Sequence, residues 1–200
     1  MRWSIAFALA LLSSAPALSA EPPPAPPPAP STVTVASSAG PDGVRTLTHE
    51  LVVPAPVDQV WEALTTAEGW MTWAVPLARP VAGKPDHFET SYNPQAAPGA
   101  ADTIEHQWLA RQAPHTARFR TVRTPAGFPH AEAYKQVVST FTLTPEGAGT
   151  RVRLVSTGYP PGEAGDALVG FFTDGNRMTL EALAGRFRDG AKDWGKAAGG

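Results

Sequence analysis

The sequence predicts an α+β domain in which helices lie on one side of a curved antiparallel sheet. Three observations support this class. An alternating segment is followed by two short amphipathic helices, residues 76–155 carry the pattern of successive strands, and a long helical pattern closes the domain. Strands and helices that follow one another along the chain in this order are typical of α+β proteins.

The first strand is predicted over residues 44–53, where the pattern of polar and apolar side chains at every second position is that of a half-buried strand. Pro54 stops this strand, because proline cannot donate to a sheet ladder, and Pro56 can serve as the first residue of a helix. The side chains expected on the inward face of the strand are Arg45, Leu47, His49, Leu51 and Val53.

Two short helices are predicted after the first strand. The tetrapeptide from Thr65 to Glu68 fits a capping box that begins the second helix, and this helix carries Trp70, Met71 and Trp73. The first helix presents apolar residues at positions i, i+3, i+4 and i+7, namely Val57, Val60, Trp61 and Leu64.

Six further strands are predicted from alternation and turn signals. The last two are the clearest, because they alternate on both sides of a Gly-rich loop, as in a hairpin. The predicted strands cover residues 78–82, 86–92, 103–111, 115–123, 134–144 and 150–157.

A long helix is predicted over residues 163–188. Asn176 lies on its apolar stripe, four residues after Phe172 and four before Leu180, which is unusual for an amide. The complete stripe consists of Leu168, Phe172, Leu180, Leu183 and Phe187.

The termini predict an exported protein. Residues 1–20 combine Arg2, an apolar run and small residues in the layout of a signal peptide cleaved near Ala20, with an uncleaved anchor as the alternative. The run is too short to span a bilayer, so we expect no membrane span after cleavage and a periplasmic or secreted bacterial protein. The remaining segments are predicted to be a Pro/Ala-rich linker at 21–43, which includes STVTVASSAG, a domain at 44–188 and a flexible tail at 189–200.

Composition excludes several classes of function. The chain of 200 residues has no cysteine, so it has no disulfide, thiolate nucleophile or Cys-ligated metal. A formal net charge of −2 argues against a nucleic-acid partner or an anionic membrane surface. The histidines show no metal-ligand spacing, so no metal and no cofactor are expected.

Four segments in order resemble the SRPBCC (START-like) superfamily, which has the helix-grip fold. They are LVVPAPVDQVWEALTTAEGWMTW (51–73), RTVRTPAGFPHAEAY (120–134), GAGTRVRLVSTGYPPG (147–162) and FFTDGNRMTLEAL (171–183). Within the superfamily, the chain is similar to the Hsp90-ATPase-activator-homology and polyketide-cyclase-like group of small bacterial proteins. The resemblance implies a sheet wrapped around the long helix, with a cavity between them that holds an apolar or amphipathic molecule. Hsp90 is cytosolic, so the predicted export argues against the cochaperone role.

The candidate ligand site follows from the aromatic residues and from the resemblance. A cavity lined by apolar side chains with few polar anchors would bind a hydrophobic or amphipathic small molecule. Asn176 is the expected polar anchor, because its amide both donates and accepts. The catalytic residues stay unknown, and a monomer or a dimer is expected. The side chains predicted to line the cavity are Trp61, Trp73, Trp108, Phe128, Tyr134 and Phe172.

Two other functions stay open. A cyclase- or hydrolase-type enzyme would use the same cavity with Asn176, His106 or His130 as polar groups, the last beside Glu132. A periplasmic interaction or stress protein would have a filled core instead. The arginines at 118, 120 and 123 are interpreted as the solvated face of a strand.

Overall fold

The predicted strands assemble into one antiparallel sheet in residues 32–197, which a computed structural model describes. The sheet has eight strands in the order β1-β2-β8-β7-β6-β5-β4-β3. The predicted α+β helix-grip fold is confirmed. The strands are β1 Thr34–Ala39, β2 Arg45–Val53, β3 Leu77–Val81, β4 Lys84–Ser91, β5 Ile104–Gln112, β6 Thr116–Arg123, β7 Val138–Glu146 and β8 Gly149–Tyr159.

The helices include the two short ones after β2 and the long one that crosses the sheet. The long helix α4 packs mainly against β2 and β8. No helix within residues 32–197 is long and apolar enough to cross a membrane. The helices are α1 Val57–Thr65, α2 Ala67–Met71, α3 Ala131–Tyr134, α4 Glu163–Asp189 and α5 Trp194–Ala197.

The junction from β2 to α2 forms largely as the sequence predicts. Pro56 is the N-cap of α1 rather than its first residue, and Val60 and Leu64 are fully buried. The cap of α2 is Thr66 and not Thr65, with which the predicted capping box begins; the Thr66 hydroxyl accepts a hydrogen bond of 2.9 Å from the backbone N–H of Gly69. A Cβ on Gly69 would overlap the backbone of α1, so glycine allows the two helices to pack closely.

The strand β1 lies where the sequence indicates linker. Its six residues pair in register with β2, and all of them are exposed. The low apolar content of this segment was the reason to assign it to the linker, and that reason was wrong. An edge strand is held by main-chain hydrogen bonds to its neighbour, which do not depend on apolar side chains. The ordered sheet therefore begins at Thr34, inside the segment assigned to the linker.

Two other segments differ from the prediction. The strand predicted from residue 134 begins at Val138, because residues 131–134 form α3 after the left-handed His130 (φ 54°). The predicted flexible tail contains α5, and the indole N–H of Trp194 donates to the Met71 carbonyl at 2.6 Å. A single indole that reaches a free carbonyl at a helix end leaves no periodic signal in the sequence.

The buried apolar side chains form two clusters under the helices. The first cluster is the larger and lies against α1, α2 and the C-terminal half of α4, with Trp73, Phe141 and Leu180 among its members. The second cluster lies against α3 and the N-terminal half of α4. Its buried members are Leu47, Val137, Tyr159 and Leu168, with Phe128, Ala133, Tyr134, Val169 and Phe172 packed on them.

Candidate functional site

A band of polar side chains separates the two apolar clusters on the inner face of the sheet. On β2, the inward positions run from Leu47 in the second cluster through His49 to Leu51 in the first. Polar residues also occupy inward positions of β6, β7 and β8, and one lies on α4. In the register, Ser156 faces Ser139 on β7 and Leu47 on β2, so the polar positions are offset from strand to strand. We call this band the polar belt, and its members are His49, Thr121, Ser139, Ser156 and Asn176.

Ser139 and Ser156 form the centre of the belt. They face each other across β7 and β8, with their hydroxyl oxygens 3.0 Å apart. On β7, Ser139 stands between Val137 of the second cluster and Phe141 of the first. Ser156 is 2% exposed, whereas Ser139 is half-buried. The belt therefore reaches from the core towards solvent.

His49 is the belt residue of β2 and is fully buried. Its Nε2–H donates to the backbone carbonyl of Thr173 on α4, at 3.0 Å, and so ties the helix to the sheet. Nδ1 must then be an acceptor, and it has no hydrogen-bond partner within residues 32–197. Desolvation lowers the pKa of His49 more than the contact with Thr173 raises it, so the ring is neutral at pH 7.

Asn176 is the belt residue of α4. Phe172, one turn before it, packs in the second cluster, and Leu180, one turn after it, is fully buried in the first. The Asn176 side chain is half-buried and makes no hydrogen bond to any residue in the described part of the chain. Its position on the apolar stripe is therefore not explained by a structural hydrogen bond.

Three of the predicted site residues meet beside the belt. The rings of Tyr134 and Phe172 stack with their centroids 4.5 Å apart, and Phe128 lies 5.4 Å from Tyr134. All three are half-buried, so this aromatic group reaches the surface as well as the belt. Burial raises the pKa of Tyr134, which keeps the phenol protonated at neutral pH.

The three predicted tryptophans are not part of that group. Trp73 is 2% exposed and donates its indole N–H to the Ala63 carbonyl at 3.0 Å. Trp108 stacks on Phe88 at 4.8 Å, and Trp61 packs against the first cluster from outside. The structure therefore divides the predicted lining between the two clusters and does not bring it into one cavity.

His106 lies under the first cluster, next to the belt. It is 6% exposed and stacks on Phe88 at 4.7 Å. Its Nε2 lies 3.3 Å from the Thr90 hydroxyl, and its Nδ1 lies 3.2 Å from the hydroxyl of the belt residue Thr121. Desolvation lowers its pKa to about 3, despite the nearby charge of Glu105.

The other polar groups considered for catalysis lie elsewhere. His130 is exposed, and Glu132 is exposed and pairs with Lys135. Arg118 and Arg120 are exposed on the outer face of the sheet, as predicted for a solvated strand face. The prediction is wrong for Arg123, which is half-buried and pairs with the buried Glu89 at 2.7 Å. Of the histidines proposed for an enzyme, only His106 therefore lies near the belt.

Two surface clefts lie beside α2. One has a volume of about 340 Å³ and is lined in part by Glu62, Arg186 and Phe187. The other has a volume of about 220 Å³ and is lined in part by Trp70 and Trp108. Neither contains a residue of the polar belt or of the second cluster. No group of three or more metal-ligating side chains occurs in residues 32–197.

Sequence reasoning missed four belt residues as site candidates. His49 was correctly expected to face inward. Ser139, Ser156 and Thr121 carry a similar signal, because each is a polar residue at an inward position of an alternating strand. The alternation could therefore have found them, although only the sheet topology shows that they form one band.

Residues 44–188 match the family described as polyketide cyclase / dehydrase and lipid transport. The chain belongs to this family. The resemblance to the SRPBCC superfamily and its polyketide-cyclase-like group is thereby confirmed. No curated protein matches the chain. Membership in the family indicates a small-molecule-binding domain.

Solved structures share the fold of this polyketide-cyclase-like chain. Protein MLL2253 from Mesorhizobium loti has a TM-score of 0.53 and 25% identity, over 70% of this chain and 94% of its own. The Aha1 dimer from Colwellia psychrerythraea has a TM-score of 0.58 and 14% identity, over 72% of this chain and 97% of its own. CalU16 from Micromonospora echinospora has a TM-score of 0.55 and 19% identity, over 80% of this chain and 76% of its own.

Proposed function

We propose that the protein binds an amphipathic small molecule between α4 and the inner face of the sheet. The polar part of the ligand lies at the polar belt, and its apolar part lies against the aromatic group of Phe128, Tyr134 and Phe172. The observation that carries this proposal is the belt itself. A core that is merely filled has no need for several buried or half-buried polar side chains between two apolar clusters.

The hydrogen bonding of the belt supports a bound partner. The Nδ1 acceptor of His49 is buried without a partner, and the Asn176 amide is half-buried without one, both within the described residues. A buried polar group without a hydrogen bond costs about 1–3 kcal/mol. A ligand that supplies a donor and an acceptor at the belt would recover that free energy.

The chemistry of the surrounding wall defines the class of ligand. Ligand sites are mostly apolar and contain a few polar groups that fix orientation, as here. The half-buried positions of Tyr134, Phe172 and Ser139 leave a route from solvent. The family description names polyketide and lipid chemistry, which agrees with an apolar molecule that carries oxygen.

We expect the delipidated protein to gain thermal stability from amphipathic probes. A ligand that binds only the folded state at one hundred times its Kd adds about 2.7 kcal/mol to the free energy of unfolding. The test measures Tm with 2-acetylnaphthalene, dodecanoic acid and dodecanol. Phe172→Ala should reduce the shift in Tm, because it removes a wall of the site.

Phe187→Ala is the matched control. Phe187 lies on the same helix but packs against the first cluster, away from the belt. The ligand-induced shift of this variant should equal that of the unmodified protein. A zero shift with all three probes, or an equal loss in both variants, would contradict the proposed site.

We also propose that the protein is exported and acts in the periplasm or outside the cell. The support is the sequence of residues 1–20, which lies outside the described residues. Mass spectrometry of the protein from fractionated host cells should find a mature chain that begins near Glu21 in the exported fraction. A chain with residues 1–20 intact, recovered with a cytosolic marker protein, would refute export.

A further inference from the structure

The outer edge of β1 is a sheet edge without the charges or prolines that usually protect one. The strand pairs with β2 on one side in unbroken register, and no strand in the described part of the chain pairs with its other side. All of its residues are exposed, and none is charged or a proline. Natural edge strands carry such residues because unpaired N–H and C=O groups bind the strand of another chain. The edge of β1 is therefore open to a further strand.

The pairing with β2 shows which backbone groups of β1 face this open edge. The N–H of Gly40 donates to the Val44 carbonyl at 2.9 Å, so these residues form a hydrogen-bonded pair at the end of the hairpin. Hydrogen-bonded and non-hydrogen-bonded pairs alternate along an antiparallel ladder. Every second residue before Gly40 therefore points its N–H and C=O groups at β2, and the residues between them point these groups at the open edge. The edge-facing residues are Val35, Ser37 and Ala39.

These three residues match a second copy of the same strand. With a two-fold axis at Ser37, this residue lies opposite Ser37 of the second copy, and Val35 lies opposite Ala39. Each of these pairs is then hydrogen-bonded, so every edge-facing N–H and C=O group finds a partner. Val35 is 38% exposed, and the pairing would cover it with the Ala39 methyl group. Like charges do not meet across the axis, because residues 31–40 carry no charge.

The chemistry of two other segments favours the second copy of β1 as the occupant. Residues 22–30 (PPPAPPPAP) contain seven prolines, which have no N–H to donate to a ladder. The opposite edge of the sheet is β3, where Pro80 also lacks an N–H and α2 packs against the strand. Pairing of β1 with β3 of another copy would be a head-to-tail contact, whereas pairing of β1 with β1 closes as a dimer.

We infer that two copies of the protein associate through β1 and join their sheets into one antiparallel sheet around a two-fold axis. The strand β1 lies outside residues 44–188, which match the family, so this contact belongs to an added strand and not to the family fold. The inference does not depend on the proposed ligand site. A contact between two single strands is small, so the dimer is reversible and its population depends on concentration.

Sedimentation velocity of the purified protein, from micromolar to millimolar concentration, tests for the dimer. We expect an equilibrium between monomer and dimer without larger species. Ser37→Pro removes the central N–H from both copies and should raise the Kd of the dimer about thirtyfold, the effect of two hydrogen bonds of average strength. Ser37→Ala keeps this N–H and should leave the Kd unchanged. A monomer throughout the series, or the same Kd for both variants, would overturn the inference.

Ser38→Pro is the control for the integrity of the strand. The N–H of Ser38 points at β2, so a proline there should lower the Tm of the monomer, whereas Ser37→Pro should leave it unchanged. Hydrogen exchange of the backbone amides separates the two sides of β1 without any substitution. In dilute solution the amide of Ser38 should be protected and that of Ser37 should exchange fast. Protection of the Ser37 amide in the monomer would mean that the same chain covers the edge, contrary to the inference.

Charge variants test the pairing even if Ser37→Pro disturbs the fold. Ser37→Lys and Ser37→Glu both keep the N–H, but each places two like charges opposite each other at the axis, which destabilises the pair. Each variant alone should be monomeric at concentrations at which the unmodified protein dimerises. An equimolar mixture of the two should form a heterodimer, because opposite charges then meet. Variants that dimerise alone as well as the unmodified protein does would place the interface elsewhere.

Discussion

Lowering the pH from 7 to 5 should cost the protein about 2 kcal/mol of its free energy of unfolding at His106 alone. Burial lowers the pKa of His106 from 6.5 to about 3 in the folded state. Between these two values the unfolded chain binds a proton that the folded chain excludes, so stability falls as the pH falls. The slope is about 1.4 kcal/mol per pH unit, and it ends near the folded pKa.

Urea unfolding at pH 7, 6 and 5 measures this effect. His106→Gln keeps a polar group that can bond to the hydroxyls of Thr90 and Thr121, but it cannot be protonated. The variant should be less stable at pH 7 and should lose about 2 kcal/mol less than the unmodified protein by pH 5. His49, whose pKa is also lowered, contributes with the same sign in both proteins.

His130→Gln is the control for this experiment. His130 is exposed and bonds to no side chain in the described part of the chain, so this variant shows the effect of replacing a histidine outside the core. Measurements stay at pH 5 and above, because the carboxyl groups of the unfolded chain begin to bind protons below that pH. Parallel curves for His106→Gln and the unmodified protein would show that His106 is accessible to protons in the folded state.

The elements that the sequence predicts well are those that bury a periodic apolar face. Leu47 and Leu51 on β2, Val60 and Leu64 on α1, and Leu180 on α4 are all buried as the spacing requires. The strand β1 and the helix α5 were missed for a common reason. Each is held by hydrogen bonds to a neighbouring element, and such bonds leave no trace in the local pattern of side chains.

The candidate site was predictable only in part. The sequence identifies Phe128, Tyr134 and Phe172, which do meet, but aromatic character alone also includes Trp73 and Trp108, which pack elsewhere. Which side of the belt a ring occupies depends on the strand order. In that order β2 pairs with β8, and β8 pairs with β7. The strands β2 and β8 are far apart in the chain, so neither their pairing nor the resulting belt can be inferred from the local sequence.

Replacing Glu89 by alanine should destabilise the protein by about 3–5 kcal/mol, the range for breaking a buried ion pair. Only 4% of the Glu89 side chain is exposed. One carboxylate oxygen accepts two hydrogen bonds from Arg79, of 2.9 and 2.6 Å. The other accepts from Arg123 at 2.7 Å, from the backbone N–H of Gly99 at 2.8 Å and from the Thr103 hydroxyl at 2.9 Å.

The size of this effect follows from what the truncation leaves behind. Burial alone would raise the pKa of Glu89. The hydrogen bonds from Arg79, Gly99 and Thr103 together lower this pKa by more than burial raises it, so the group is held as a carboxylate. Without it, Arg79 loses its carboxylate partner, and Arg123 and the Thr103 hydroxyl each lose one of their partners. The loop that carries Gly99 and Thr103 also loses two of its hydrogen bonds to β4, which adds to the cost.

Glu146→Ala is the matched control, because it too removes a carboxylate that binds an arginine at two points. Glu146 pairs with Arg151 on the surface, where both side chains are more than 40% exposed and water replaces the lost contacts. Urea unfolding at pH 7 should therefore show a large loss for Glu89→Ala and a small one for Glu146→Ala. Comparable losses would mean that the Glu89 carboxylate is solvated in the folded protein. Glu89→Gln should lie between the two, since the amide oxygen still accepts from one arginine while its NH₂ group faces the remaining donors.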